Sequence, residues 1–449
     1  MSQHSKEIDE APLNRFHLRI TALTFGANFS DGYNLGTIGT ALALIGPQMK
    51  LGSAWMGLLG SSALIGIFLG SILLGRLGDA IGRQKLYLYD FLLLAIASVL
   101  QFFVQGPMEL FLLRVVIGFT IGADYAIGPA LVSEFVPKKH RGSLLGSLTV
   151  MWTVGYVVAY FAGTFMAQLG PDSWRWLLAS STIPAVIVLL LRIGTPESPR
   201  WLISKDRMEE ARVIIKKYIG ADVSVREQAA EKKPALGFYD LFRKKYRVRT
   251  AFAGLFYICN VLPYFAIYTF LPLILEKMKI KDEFLGNILL NSFLLLGGII
   301  GLWFLNKLSR RKFTIGSFAI LAISLFLMSI WPNGPFFYIM ALFLLFTFVM
   351  SGFSNITQVY PAELFPTEIR GSGIGLANAL SRIGAAIGTF FLPISMSSYG
   401  LGPSMLWLSA VLLVGVIVSI AWAPETSDVS LEEAAKDSKG ISSRVIHEN

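Results

Sequence analysis

Apolar residues in this chain come in twelve blocks of membrane-crossing length, and few folds tolerate that spacing. The hydrocarbon core of a bilayer is about 30 Å thick and takes about 20 helical residues to cross. Blocks of that length lie near 20–46, 55–75, 86–105, 109–133, 143–168 and 174–193, then near 250–275, 284–305, 313–331, 335–360, 372–396 and 404–423. Hydrocarbon offers the backbone no water, so each block must satisfy its own N–H and C=O groups, which a helix does within one segment. The expected fold is an all-α integral membrane protein with twelve transmembrane helices. Composition agrees: 54% of the 449 residues are hydrophobic, 15% are charged, and mean hydropathy is +0.60, well beyond a soluble domain.

The charges give an orientation. Twelve spans leave both ends on one side, where Arg15, Arg19, Arg83, Lys85, Lys138, Lys139, Arg141, Arg310, Arg311 and Lys312 all fall. Lysine and arginine gather on the cytoplasmic side of membrane proteins, so both termini are expected in the cytoplasm. The opposite loops carry little positive charge beyond Lys50, Arg175 and the 277–281 cluster. A net charge of +10 suggests nucleic acid only when it forms one basic face; here it punctuates apolar blocks, so no nucleic-acid partner is expected. The single cysteine, Cys259, lies inside an apolar run, which excludes a disulfide framework or a cysteine metal site. The first fourteen residues are polar and include Glu7, Asp9 and Glu10, unlike a cleavable signal peptide.

The halves of the chain repeat each other. SEFVPKKHRG at 133–142 returns as AELFPTEIRG at 362–371, so that Glu134 and Glu363, Pro137 and Pro366, and Arg141 and Arg370 are each 229 residues apart. PES at 196–198 returns as PET at 424–426, a shift of 228. GRLGDAIGRQK at 75–85 returns in decayed form as FLNKLSRRK, with Asn306 where Asp79 stood, a shift of 227. The implied organisation is a six-helix bundle over 1–193, a polar linker over 194–249, a second bundle over 250–427 and a cytoplasmic tail over 428–449. Within the linker, KDRMEEARVIIKKY places Met208, Ala211, Val213, Ile214 and Ile215 among charges, fitting short amphipathic helices on the inner membrane surface. Two related bundles suit a substrate site near the bilayer midplane between halves that rock about it.

Charged residues at helix ends form one candidate group. Gly75 and Asp79 are four apart and share a helix face, Gly82 turns the chain, and Arg83 and Lys85 stay with the anionic leaflet. Asp79, Arg83, Glu134, Arg141, Glu363 and Arg370 fit ion-pair networks that close an inner gate; topogenic charge with helix capping is the plainer reading.

Charges inside the spans form a second group, since an ionisable residue at mid-membrane costs at least about 2.5–3.5 kcal/mol and is rare without a partner or a wet cavity. Asp31 lies twelve residues beyond Arg19, about 18 Å along the first helix, and Asp124 lies ten residues before Glu134, about 15 Å in. Arg114 is on the same helix as Asp124. A buried aspartate beside a competing arginine can take up and release a proton, which makes Asp31, Asp124 and Arg114 the proton-coupling candidates. A buried structural charge network is the alternative. Arg382, in ANALSRIGAAIG, has no acid inside the spans of its own half; its fork of donors suits a carboxylate on the substrate, unless it reaches backbone carbonyls or an acid of the other half. Asn260, Tyr264 and Tyr268 recur at fours in the seventh span, and Asn355 and Gln358 lie three apart in the tenth. Such polar faces line a site or bind helices to each other.

The string G-x3-D-x2-G-R-x-K at 75–85 resembles the signature loop between the second and third helices of the major facilitator superfamily. GRLGDAIGRQK, RVVIGFTIGADY, the two E-x2-P-x3-RG boxes, PESPRWL at 196–202 and PET together look like its sugar-porter and metabolite:proton symporter branches, over nearly the whole chain. The resemblance implies secondary transport by alternating access, with Arg114 in the place of the arginine that pairs with the proton-coupling aspartate. It breaks at informative places. The first-helix GYD of proton-coupled sugar porters reads GYN, putting Asn34 in the aspartate position with Asp31 one turn earlier; the latter resembles the first aspartate of the D-G-x-D box of aromatic-acid:proton symporters. The seventh-helix double glutamine and the tenth-helix tryptophan of sugar porters are absent. Arg382 is similar to a buried arginine of the organic-acid and organic-ion branches. The fifth helix lacks the Gly-Pro box of antiporters.

The expectation is a monomeric bacterial inner-membrane symporter that moves a small polar metabolite with protons, with an organic acid or sugar acid favoured over a neutral sugar or polyol. Asn34, Asn260, Tyr264, Tyr268, Asn355, Gln358 and Arg382 are the substrate-binding candidates. A non-transporting sensor on the same fold has no need of Asp31, Asp124 and Arg114, which are intact. No HExxH, GxSxG or GxxxxGK[ST] motif supports an enzyme, and no cofactor is expected.

Overall fold

The structure is a computed structural model that describes the backbone of residues 6–7, 12–220, 223–224, 238–277, 283–365 and 367–426. The described chain is almost entirely helical. Five long helices come first: α1 (Arg15–Gln48), α2 (Ser53–Ile81), α3 (Arg83–Leu100), α4 (Pro107–Phe135) and α5 (Lys138–Ala167). The sixth span is two pieces in line, α6 (Ser173–Ser180) and α7 (Thr182–Arg192), and the linker follows with α8 (Pro199–Ser204) and α9 (Met208–Ile214). Then come α10 (Arg247–Thr269) with the short α11 (Leu271–Lys277), α12 (Glu283–Lys307), α13 (Arg310–Ile330), α14 (Phe336–Ser354) with α15 (Ile356–Leu364), α16 (Thr367–Ser398) and α17 (Leu401–Trp422). β1 (Lys6–Glu7) runs parallel to β2 (Val223–Ser224), a pairing two residues long.

Among the described residues, 11 helices are long and apolar enough to cross a membrane. The twelfth span, α1, is not short; its 34 residues reach about 51 Å. Its apolar run is instead diluted by Asn28, Ser30, Asp31, Asn34, Thr37 and Thr40, every one of them buried. A helix that hides polar groups from lipid in this way faces protein. It packs chiefly on α5, as α10 packs chiefly on α16.

Two compact units divide the chain: Met1–Met49 with Ser62–Glu231, and Lys50–Ser61 with Lys232–Asn449. The opening of α2 groups with the second unit because Gly57 there lies against the Phe390 carbonyl of α16, where an added Cβ would sit 2.3 Å from the oxygen. In the first unit α2 and α4 meet backbone to backbone. A Cβ on Gly66 or Gly70 would fall 2.1 or 2.0 Å from the carbonyls of Val115 or Phe119, and one on Gly118 would fall 2.0 Å from that of Ala63. The second unit repeats the device between α12 and α14, where a Cβ on Gly297 would meet the Phe348 carbonyl at 2.2 Å and one on Gly301 would meet the Gly352 Cα at 2.2 Å. Without a hydrophobic force between helices in lipid, such close approach supplies the packing that holds them.

The helix ends repeat as well. Gly82 has φ +108, a conformation that side chains rarely adopt, and a Cβ there would lie 2.5 Å from Oε2 of Glu197. With no side chain of its own to cap α3, that turn leaves the first N–H groups to Glu197, whose carboxylate accepts from the backbone of Arg83 at 3.1 Å and Gln84 at 3.2 Å. In the second unit Glu425 accepts from the backbone of Arg310 at 2.9 Å and Arg311 at 3.3 Å, at the start of α13. The PES and PET repeats are therefore borrowed N-caps, which bring a carboxylate to the positive end of a helix.

Part of the linker's apolar face packs on protein, while Val213 on the same segment is exposed. Ala211 is buried with Trp201 and Leu202, while Ile215 and Ile219 are buried among Ile20 and Leu23 of α1, Leu86 of α3 and Leu131 of α4. Asn14 ties the two regions together. Its side chain caps α1 by accepting from the His17 N–H at 3.0 Å and donates to the carbonyls of Tyr218 at 2.8 Å and Ile219 at 3.1 Å.

Candidate functional site

The inside of the first unit holds five charged side chains that water does not reach: Asp31 on α1, Asp90 on α3, Arg114 and Asp124 on α4, and Arg192 at the end of α7. Arg192 is the most heavily bound. Its guanidinium stands 3.3 Å from the ring centre of Tyr87 and 4.0 Å from that of Phe91. It donates to the Tyr87 carbonyl at 2.7 Å, to Asp90 Oδ1 at 3.1 Å and to Asp124 Oδ1. Asp90 Oδ1 also accepts the Phe91 N–H at 2.6 Å, and the Tyr87 hydroxyl meets that of Thr24 on α1 at 3.3 Å. A buried charge is tolerable only when paired and fully hydrogen-bonded. Arg192 is paired through two carboxylates, a carbonyl and two aromatic faces, the last worth about 0.5–2 kcal/mol each, and only its Nε has no hydrogen-bond partner among the described residues.

Sequence reasoning singled out neither Arg192 nor Asp90. Both fall inside blocks assigned as spans, so the rule that selected Asp31 reaches them too. Arg192 stands at the very end of its block, where a cation is ordinarily a snorkelling anchor.

The triad redistributes the expected pairs. Asp124 is bound by Arg192, not by Arg114 on its own helix. Arg114 donates through Nη2 to the backbone carbonyl of Asn34 at 3.4 Å, and that carbonyl also accepts from the Thr37 hydroxyl at 3.0 Å. Among the described residues the buried Nε and Nη1 atoms of Arg114 have no partner, and neither has Oδ1 of Asn34, whose Nδ2 donates to the Ser30 carbonyl at 3.0 Å. Both carboxylate oxygens of Asp31 are buried with no hydrogen-bond donor among the described residues, as is Oδ2 of Asp124. Asp31 lies within electrostatic reach of Asp124, Arg192 and Asp90.

Among its described residues the second unit has a polar face and no buried ion pairs of this kind. Asn260, Tyr264 and Tyr268 are all buried on α10, and the two tyrosine rings lie 4.7 Å apart, as their spacing of four requires. Asn260 Nδ2 has no partner. Arg382 on α16 is half-buried, with its guanidinium 5.8 Å from the Phe265 ring centre. Asn355 joins helices: its Nδ2 donates to the Gly298 carbonyl of α12 at 2.7 Å. Glu363 accepts from the Thr426 hydroxyl at 2.6 Å and from Arg310 Nε at 3.4 Å, so its described cationic partner is Arg310. The side chains of Asp79, Glu134, Arg141, Gln358 and Arg370 lie outside the described residues. No group of three or more His, Cys, Asp or Glu among the described residues is placed to hold a metal ion.

The chain has relatives. The family described as sugar (and other) transporter matches residues 20–437 of the chain. The inner membrane metabolite transport protein YgcS of Escherichia coli is 45% identical over 434 residues, which cover 97% of each chain. The metabolite transport protein YaaU of the same organism is 36% identical, over 96% of this chain and 98% of its own. Among solved structures, the inward open xylose transporter XylE from E. coli superposes with a TM-score of 0.79 at 20% identity, over 93% of this chain and 99% of XylE. That likeness shows the major facilitator fold, two halves of six helices.

Proposed function

The chain belongs to the sugar (and other) transporter family, and within it we propose a proton-coupled symporter that carries an organic acid or sugar acid by alternating access. It works as a monomer in the inner membrane, with both termini in the cytoplasm. The observation that carries the proton half of this reading is Asp31, fully buried in a spanning helix with neither carboxylate oxygen bonded. A carboxylate whose lone pairs have no donor has room for a proton, and holding it as a bare anion in a dry interior costs several kcal/mol.

Asp90 and the rings of Tyr87 and Phe91 keep Arg192 on Asp124, so Arg192 is not free to swing across and neutralise Asp31. When the site opens to the proton-rich side, Asp31 takes a proton from water. The neutral side chain then permits the rearrangement, and opening to the other side returns the proton. Arg382, half-buried on α16, and the buried face of Asn260, Tyr264 and Tyr268 on α10 supply substrate contacts from the second unit.

The test is uptake into proteoliposomes with an imposed pH gradient, after a thermal-shift screen of matched acids and alcohols, gluconate with glucitol and benzoate with benzyl alcohol. The acids are expected to raise the melting temperature, and the gradient to drive their accumulation. Asp31→Asn should abolish accumulation while exchange across the membrane survives. Accumulation that persists in that variant moves the proton to Asp124. Stabilisation by the alcohols alone moves the substrate to a neutral sugar or polyol.

A further inference from the structure

Arg114 is a second guanidinium sealed inside the first unit, and nothing in the proton pathway uses it. It is completely buried. Its one hydrogen bond within the described structure runs from Nη2 to the Asn34 carbonyl at 3.4 Å, and Thr37 already occupies that carbonyl at 3.0 Å. Nε and Nη1 have no acceptor among the described residues. Asp124, ten residues further along α4 and so about 15 Å away by helical rise, is taken by Arg192. A buried cation with open donors is expensive, and proteins meet that expense with an anion.

We propose that Arg114 and Asn34 form an anion subsite in which the open donors of the guanidinium bind a carboxylate of the substrate and the Asn34 side-chain oxygen accepts from a neighbouring substrate hydroxyl. A guanidinium offers parallel N–H pairs along its Nε–Nη2 and Nη1–Nη2 edges, and an open Nε or Nη1 together with the second hydrogen of Nη2 matches the two oxygens of a carboxylate. Asn34 Oδ1 is buried and has no donor, on the residue whose backbone Arg114 already touches. Together they describe a ligand with a carboxylate next to a hydroxyl-bearing carbon: a 2-hydroxy acid or a sugar acid. The subsite rests on the organic-anion reading above and narrows it. It also assigns a consequence to the asparagine at position 34, where the resemblance to proton-coupled sugar porters implies an aspartate. An aspartate there brings an internal carboxylate to Arg114, whereas asparagine leaves the guanidinium for a carboxylate that arrives with the substrate.

The experiment compares the purified parent, Asn34→Asp, Arg114→Gln and Arg114→Lys by thermal shift and by calorimetric titration with gluconate, glucitol and sodium chloride. Asn34→Asp is the decisive variant because it is expected to fold better than the parent: its melting temperature should rise as the new carboxylate satisfies Arg114, while gluconate affinity falls by roughly ten- to a hundred-fold. Arg114→Gln should lose gluconate to a similar degree, and Arg114→Lys should recover only part of it, since an ammonium lacks the fork.

Gluconate binding that is unchanged in both Asn34→Asp and Arg114→Gln overturns the subsite and leaves the organic-anion reading standing with another residue. A parent that binds glucitol and not gluconate fails that broader reading and this subsite with it. If chloride stabilises the parent but not Asn34→Asp, and gluconate does neither, the substrate assignment is overturned in favour of an inorganic anion.

Discussion

The two units of this transporter share their carpentry and differ in their chemistry. Each brings two helices into backbone contact through glycines, Gly66 and Gly70 against α4 in the first and Gly297 and Gly301 against α14 in the second. Each caps the helix after its signature loop with a borrowed glutamate, Glu197 in the first and Glu425 in the second. The interiors diverge. The first unit buries Asp31, Asp90, Arg114, Asp124 and Arg192 within its spans, whereas among the described spans of the second no charged residue is fully buried, and Arg382 is half-exposed. The duplicated elements depend on close approach and on the exposed N–H groups of a helix start, needs that every copy of the bundle has. A buried ion network meets no such need; it is costly, and persists where it does something that packing does not.

Five substitutions would break or sharpen this contrast. The largest effect is expected from Arg192→Met, which strands Asp90 and Asp124 without their counter-ion and should cost about 3–5 kcal/mol. Arg382→Met, which removes a half-buried charge from the second unit, should cost markedly less. Denaturation of both variants in the same detergent checks the pair, and equal losses would erase the proposed difference between the interiors.

A smaller effect, about 1–3 kcal/mol, is expected from Gly82→Ala, since the backbone conformation there is nearly closed to side chains and the new methyl would press on Glu197. Its counterpart Ser309→Ala, which removes a long cap bond of 3.4 Å to the Lys312 N–H, should cost about 0.5 kcal/mol, the low end for a lost cap. Melting temperatures decide whether the two caps are as unequal as their geometry. The smallest change comes from Asn355→Ala, about 0.5–1.5 kcal/mol for the lost bond to the Gly298 carbonyl, with ligand affinity unchanged. Weakened gluconate binding in that variant would return Asn355 to the substrate site.

Much of the architecture is legible without coordinates because its causes are local. Block length places the spans, since a helix has a fixed rise and the bilayer a fixed thickness. Gly82 is legible as a turn because a glycine between charges at the end of an apolar block has little else to do, and its φ of +108 agrees. The 228-residue shift between PES and PET marks them as equivalents, although their capping role needed the coordinates, because Glu197 reaches residues 114 positions away. Even α1 is legible, though its polar content keeps it from scoring as an ordinary span.

The charge pairs are not legible in this way. Arg114 and Asp124 share a helix and a motif, yet Asp124 is held by Arg192, 68 residues on, and Arg192 also reaches Asp90, 102 residues back. Nothing in the spacing of α4 chooses between the two arginines. Helical periodicity settles which face of α4 a side chain occupies, but its partner is whatever α1, α3 and α7 bring to that face once they pack. In a medium that offers no water, that packing alone separates a paired ion from an orphan: among the described residues it gives Arg192 two carboxylates and a carbonyl and leaves Asp31 and two nitrogens of Arg114 without a partner.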